Sequence, residues 1–279
     1  MSKWERFKNS NFAWVIFFLA SVVTLVSIIW NINQDKFGDT KINQVQANYW
    51  YNKGLELSNK KKFRQALEAF DKAIKRKPDF YQSWYEKGNM LVLLERYKDS
   101  LEAFDMAIAI KSDFAALWMS KAHCLFSYLG RPEESVEALN KATDIEPDNA
   151  HAWFRKGSYL FYLGRYREAL EAFNKAIEIK PGVERIWWVF TQKGYTLRKL
   201  GRNDEALEAF KNATDSNPSY AIAWYAQACL YSLQKDKSNA FRCLRKSLKT
   251  YLNEEDLKNN PDFDFIRNEK EFQSIIKNL

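Results

Sequence analysis

A lysine–glycine pair beside aromatic residues recurs four times in this chain, as WYNKG at 50–54, WYEKG at 84–88, WFRKG at 153–157 and FTQKG at 190–194. Such a pair invites a phosphate-binding or catalytic reading. A phosphate-cradling loop needs glycine before lysine, as in G-x-x-x-x-G-K-[ST], and no glycine here is followed by lysine. Neither G-x-G-x-x-G nor G-x-S-x-G occurs. His123 and His151 are the two histidines of the sequence, which leaves little room for a triad, and a metal ion shared between them would lack a third ligand. Cys124, Cys229 and Cys243 show no C-x-x-C spacing. Free thiols are expected, with a Cys229–Cys243 bridge as the alternative if both lie in one helical hairpin. Carboxylates recur in repeated strings, EALEAF at 168–173 and again at 205–210, which suits solvated helix faces better than acid/base pairs. The expectation is a chain that is not an enzyme and holds no cofactor or metal.

The elements carrying these residues repeat. Trp50, Trp84 and Trp118 are 34 residues apart, Trp153 follows after 35, Phe190 takes the place after 37, and Trp224 follows after 34. Pro78, Pro147, Pro181 and Pro218 close four of the units. Six units result: 47–80, 81–114, 115–149, 150–186, 187–220 and 221–254. Each holds two stretches with apolar or small residues three and four apart, such as Ala66, Phe70 and Ala73, joined by a short polar turn. Proline after the second stretch cannot continue a helix. Gly130, Gly164 and Gly201 fall in the turns, where a left-handed residue ends a helix. Gly54, Gly88, Gly157 and Gly194 fall within the first helix of their units, at a cost of about 1 kcal/mol each relative to Ala. Close helix crossing explains them, and Ala122 and Ala228 fill the same place in units three and six.

These residues resemble the tetratricopeptide repeat family, with its helix-turn-helix pattern of aromatic, Gly or Ala, Ala, large apolar, Ala and Pro. Unit four matches through Trp153, Gly157, Ala169, Phe173, Ala176 and Pro181. Ser112 in place of proline, Leu139 and Leu244 in place of Phe, and three extra residues in PGVERIWW depart from the pattern. The resemblance covers about 47–254 and implies an all-α, right-handed solenoid of helix-turn-helix repeats. The tail 255–279 leaves the period, and its Phe265, Ile266, Phe272, Ile275 and Ile276 suit helices that cap the exposed end of the array.

Ahead of the repeats, a short basic segment 1–11 precedes nineteen residues without a charge, 12–30. As a helix these span about 28 Å, the thickness of a hydrocarbon core. A single transmembrane helix is expected there, followed by a linker at 31–46. Lys3, Arg6 and Lys8 before the span, against Lys36 and Lys41 after it, lean toward a cytoplasmic N-terminus and a repeat domain outside the cytoplasm. A window that includes Lys60, Lys61, Lys62 and Arg64 reverses the count.

In the resembled family the first helices line a concave groove. By that resemblance the ligand-facing set is Tyr51, Tyr85, Asn89, Met119, His123, His151, Phe154, Ser158, Trp188, Thr191, Tyr195 and Tyr225. It is aromatic and nearly uncharged, which suits a protein or peptide segment, unless these rings only pack between helices. Trp187–Trp188, beside the insertion, is the strongest expected hot spot. Lysine-rich clamps for chaperone tails do not fit, because Asn89 alone resembles that set. Lys53, Lys87, Lys121, Lys156 and Lys193 recur once per unit and read as a solvated edge stripe.

The net charge is +8 and the pI about 9.1. Unit one alone carries nine basic against four acidic residues. Lys60, Lys61, Lys62 and Arg64, with a second stripe at Arg242, Arg245, Lys246 and Lys249, could meet anionic lipid or an acidic partner. Nucleic acid is disfavoured, because the expected groove lacks Lys and Arg. The reading is a membrane-anchored scaffold or adaptor that binds a protein segment and assists assembly of a membrane-associated complex. The alternative is a basic-surface binder of anionic lipid or nucleic acid.

Overall fold

The computed structural model describes residue 22 and residues 24–26, 40–179, 185–248 and 254–277. The expected membrane span 12–30 lies outside the described residues, except for Val22 and residues 24–26, which are helical. Among the described residues no helix is long and apolar enough to cross a membrane. Residues 181–184 of the PGVERIWW stretch and Lys249 also lie outside.

The fold is all-α, and the chain divides into two compact units, Met1–Ile110 and Lys111–Leu279. The first contains helix α1 (40–59), α2 (Phe63–Arg76), α3 (Tyr81–Leu93) and α4 (Tyr97–Ile110). Helix α1 reaches back to residue 40, into the stretch expected as linker. It is anchored there by buried Ala47 and by Lys77 Nζ, which donates to Gln44 Oε1 at 2.6 Å. In α2 the buried residues Ala66, Ala69, Phe70 and Ala73 make one stripe, as the spacing predicts.

The second unit holds three more pairs and a half-different fourth: α5 (Ala115–Ser127), α6 (Pro132–Ile145), α7 (Ala150–Tyr162), α8 (Tyr166–Glu178), α9 (Ile186–Lys199), α10 (Asn203–Ser216), α11 (Ala221–Leu233) and α12 (Lys237–Ser247). After them come α13 (Glu254–Asn259), a 3-10 turn (Pro261–Phe263) and α14 (Lys270–Lys277). Within each unit successive helices pack on their neighbours, α5 on α6, α6 on α7, and so on to α12.

The helical glycines have a specific neighbour. A Cβ on Gly157 would lie 2.7 Å from Phe173 Cε1, and one on Gly54, Gly88 or Gly194 would lie 2.5 Å from the same atom of Phe70, Phe104 or Phe210. Each phenylalanine is essentially inaccessible. Where the pattern breaks, it breaks as a pair. Ala122 shares a core cluster with Leu139, and Ala228 with Leu244. A smaller side chain on the second helix leaves room for a Cβ on the first.

All six turns inside the hairpins place one residue in the left-handed region: Lys61 (φ 58°), Glu95 (60°), Gly130 (64°), Gly164 (74°), Gly201 (74°) and Lys235 (60°). In the fourth, Arg165 N–H donates to Leu160 O at 2.9 Å, the bond that closes a helix C-terminus. Nothing lies within 4 Å of a Cβ added at Gly164. Gly164→Ala therefore probes backbone strain alone, and chemical denaturation should show a loss of about 1–2 kcal/mol.

The tail folds onto α11 and α12. Leu257, Phe263, Ile266, Phe272, Ile275 and Ile276 are buried in one cluster with Ala226, Leu230, Phe241 and Leu244. Phe265, expected among the apolar cover, is instead 39% exposed. Cys229 and Cys243 are free buried thiols, as is Cys124, so the bridge considered from sequence does not form. The two sulfurs face different partners: Asn260 Nδ2 approaches Cys229 Sγ at 3.6 Å, and Cys243 Sγ approaches Gln227 Oε1 at 3.8 Å.

Candidate functional site

The recurring lysine–glycine pairs are parts of a structural bracket. The ring nitrogen of Trp84 donates to Pro78 O (2.9 Å), Trp118 to Ser112 O (2.8 Å), Trp153 to Pro147 O (2.8 Å) and Trp224 to Pro218 O (2.9 Å). Each tryptophan thus ties its helix to the carbonyl that ends the preceding hairpin. Because the acceptor is backbone, Ser112 serves as well as proline. Phe190 has no N–H to donate, so the fifth hairpin lacks this tie.

The lysines cover those tryptophans. Lys87 Nζ lies 5.0 Å from the Trp84 ring centroid, Lys121 5.8 Å from Trp118 and Lys156 4.7 Å from Trp153. In the first and last hairpins the cation comes from the second helix, with Lys72 at 4.3 Å from Trp50 and Lys246 at 3.9 Å from Trp224. Lys87 also pairs with Asp71 at 2.7 Å. All five repeated lysines are half-buried; at Lys87, Lys121 and Lys156 the solvated stripe expected from sequence is corrected to ring-covering cations, whereas Lys53 pairs with Glu56 at 2.8 Å. In the last hairpin Gln227 takes the lysine place and is 1% exposed, donating to Phe210 O at 3.1 Å and Thr214 Oγ1 at 2.9 Å.

The expected groove residues separate into two groups. Tyr51, Tyr85 and Phe154 are half-buried, with ring centroids 6.0 Å from Phe70, Phe104 and Phe173 of their own hairpins. Tyr195 packs on Phe210 at 5.2 Å, and burial pushes its pKa up to about 12. Ser158 and Thr191 hydroxyls donate back to Phe154 O and Trp187 O. Thr191 is 1% exposed and presents no surface, a correction to its expected role. Tyr225 lies under the tail: its hydroxyl accepts from Asn260 Nδ2 at 2.7 Å and its ring meets Phe263 at 5.6 Å. Asn89 donates to Glu86, and the Met119 sulfur accepts from Asn149 at 3.8 Å. Trp188 is 40% exposed, 6.2 Å from the Tyr220 ring. In the first unit Tyr51 borders an open cleft of about 600 Å³ with Gln44, Asn48, Asn52 and Gln82.

Helices α5 and α7 bring a second set together, half of it invisible in the sequence pattern. Phe126 stacks on Tyr159 at 3.8 Å with 3° between planes, and Tyr162, 73% exposed, meets Phe126 edge-on at 5.0 Å. His123 Nδ1 lies 3.3 Å from the Tyr159 hydroxyl and 3.1 Å from Ser127 Oγ. Arg155 Nε donates to His151 Nε2 at 3.4 Å. Burial first, and then the Arg155 charge, hold both histidines below the usual imidazole range. Burial raises the Tyr159 pKa, against the opposing Arg155 charge. Both histidines are committed to these neighbours, and among the described residues no group of three metal-ligating side chains occurs. The cue missed in the sequence is His151, Arg155 and Tyr159, four residues apart on one helix face.

The basic clusters are exposed. Lys60 pairs with Glu56 at 2.6 Å, while Lys61, Lys62 and Arg64 stand at the surface of the first turn. Arg242 is exposed, Arg245 pairs with Glu271 at 2.5 Å, and Lys246 covers Trp224.

The family model described as tetratricopeptide repeat matches residues 51–114, 124–184 and 191–249. No curated protein matches the chain. Among solved structures, a tetratricopeptide repeat protein from Parabacteroides merdae ATCC 43184 is similar with a TM-score of 0.62 at 16% identity, over 76% of this chain and 83% of that one. MamA gives 0.57 at 21% identity, over 63% and 94%. YrrB, described as a tetratricopeptide repeat protein with an unusual peptide-binding site, gives 0.56 at 23% identity, over 66% and 92%. At these identities the likeness is one of fold.

Proposed function

The chain belongs to the tetratricopeptide repeat family, and on that premise we propose that it is a scaffold whose first helices bind an extended segment of a protein partner. The observation that carries this reading is the pair of exposed rings at α5 and α7, Tyr162 at 73% and the α5 C-cap Tyr128 at 39% exposure, beside the Phe126–Tyr159 stack whose Tyr159 is buried. Exposed rings on a rigid helical frame supply contact area at low ordering cost. The peptide-binding site described for YrrB supports the same mode. The uncharged stretch 12–30 supports a membrane anchor, and a tethered scaffold would assist assembly of a complex at that membrane. Protease treatment of intact cells tests the orientation: loss of 47–279 places the repeats outside, and full protection places them inside.

Binding is tested with octapeptides selected from a random library on the purified chain. Trp188→Ala should weaken the selected peptides at least tenfold, read by fluorescence anisotropy. Unchanged affinity with an unchanged circular dichroism spectrum would remove Trp188 from the site. The exposed Lys61, Lys62 and Arg64 favour a second reading, attraction to anionic lipid. Salt separates the two, since charge-driven lipid binding falls steeply with ionic strength and aromatic contacts do not.

A further inference from the structure

Helices α5, α7, α9 and α11 contain no aspartate or glutamate. Their neighbours α6, α8 and α10 begin with acidic residues in the first turn. Three of the six cations on these helices are committed to rings or a carboxylate: Lys121 and Lys156 cover tryptophans, and Arg198 pairs with Asp262 at 2.8 Å. Arg155 is half-buried, it donates to the His151 imidazole and hydrogen-bonds the Tyr159 hydroxyl, and among the described residues no carboxylate lies within ion-pair distance of it. A guanidinium has five donors in a planar fork that matches a carboxylate, and one held in a partly dry, acid-free place lacks its best partner.

The molecule contains an example of what such a place accepts. On α9 and α11 the tail lays down Asp262 and Phe263 in succession. The carboxylate of Asp262 takes Arg198, and the Phe263 ring, fully buried, sits against Tyr225. At α5 and α7 the same two kinds of group are present without an occupant from the described chain. Arg155 supplies the cation, and half-buried Phe126 and exposed Tyr162, backed by the buried Tyr159 ring, supply the aromatic wall. His151, at 3.4 Å from Arg155 Nε, and the Tyr159 hydroxyl are the guanidinium's neighbours on α7.

We infer that the Arg155 place binds a partner peptide through an acidic side chain followed by an aromatic one, in the manner in which the tail's Asp262–Phe263 engages Arg198 and Tyr225. The inference rests on the peptide-binding reading above and adds the chemistry of the peptide. The carboxylate is held by the guanidinium fork, and the neighbouring ring packs against Phe126 and the exposed Tyr162.

The test uses the full chain and octapeptides with randomised flanks and a central Asp-Phe, Asn-Phe, Asp-Ala or phosphoserine-Phe pair. Asp-Phe peptides should bind about tenfold more tightly than their Asn-Phe counterparts, the effect of one charge-assisted contact. Asp-Ala peptides should also be weaker. Arg155→Gln should erase the Asp-over-Asn preference, and Arg155→Lys should keep part of it. Arg198→Gln should leave it unchanged, which separates this place from displacement of the tail. Equal binding of Asp-Phe and Asn-Phe peptides, or a preference that survives Arg155→Gln, overturns the inference while leaving peptide binding intact. A stronger preference for phosphoserine-Phe overturns the assignment to a carboxylate. Binding of no peptide by the native chain overturns both readings.

Discussion

Replacing Phe272 by alanine should cost about 3–5 kcal/mol, the largest effect of any single change proposed for this chain. Phe272 is fully buried, touches Phe263 at a centroid distance of 5.6 Å, and belongs to the cluster that joins the tail to α11 and α12. Removing the ring leaves a void that neighbours from two helices and a 3-10 turn cannot all close. In a repeat array each hairpin is stabilised chiefly by its neighbours, so the loss should be local. Hydrogen exchange should speed up in α11, α12 and α14 and remain slow in α5–α8. Exposed Ser274 on the same helix serves as the control, with Ser274→Ala expected within about 0.5 kcal/mol of the native chain. Equal acceleration throughout the second unit would show that its hairpins unfold together.

The second large effect concerns Gly157. An exposed helical glycine gains about 1 kcal/mol when replaced by alanine. Here the sign should reverse. The new Cβ would lie 2.7–2.8 Å from two ring atoms of Phe173, which is wholly inaccessible and has nowhere to move. Overpacking of this kind costs about 1–3 kcal/mol. Phe173→Leu alone should also destabilise, by leaving a void beside the glycine. The double variant recreates the Ala122–Leu139 and Ala228–Leu244 arrangement that the chain already uses twice. Its stability should therefore exceed the sum of the two single effects, with a coupling of about 1–2 kcal/mol in denaturant titrations. Additive single effects would show that the glycine and phenylalanine do not answer one another.

Much of the frame was legible without coordinates. Spacing of the tryptophans gave the repeat, three-and-four periodicity gave the helices, and helical glycines signalled close approach. Each is a local or strictly periodic property, so a one-dimensional pattern records it. The identity of the atom opposing each glycine was not recorded, because Phe173 lies sixteen residues from Gly157 on a different helix.

The candidate site was less legible. Counting places from the start of each unit selected Tyr51, Tyr85 and Phe154, whose rings turned out to pack on their own hairpins. The same count passed over Arg155, Tyr159, Phe126 and Tyr162. Periodicity assigns a residue to a face of a helix, but contact between α5 and α7 depends on which side chains reach across. Lys87, Lys121 and Lys156 depart from the expected solvated stripe for a related reason. A charged residue on a helix surface reads as solvated, although its stem and ammonium can settle on a tryptophan three residues away.

By itself, the sequence determined that this chain is an all-α repeat protein and where its helices turn, because those features follow from backbone geometry and the period of apolar residues. The tertiary structure alone decided which groups remain available. It set lysines over tryptophans, closed Tyr225 under the tail, paired Arg198 with Asp262, and left Arg155 beside Tyr159 with no carboxylate among the described residues in ion-pair reach. Availability depends on what each group's neighbours have already satisfied, and those neighbours are adjacent in space rather than along the chain.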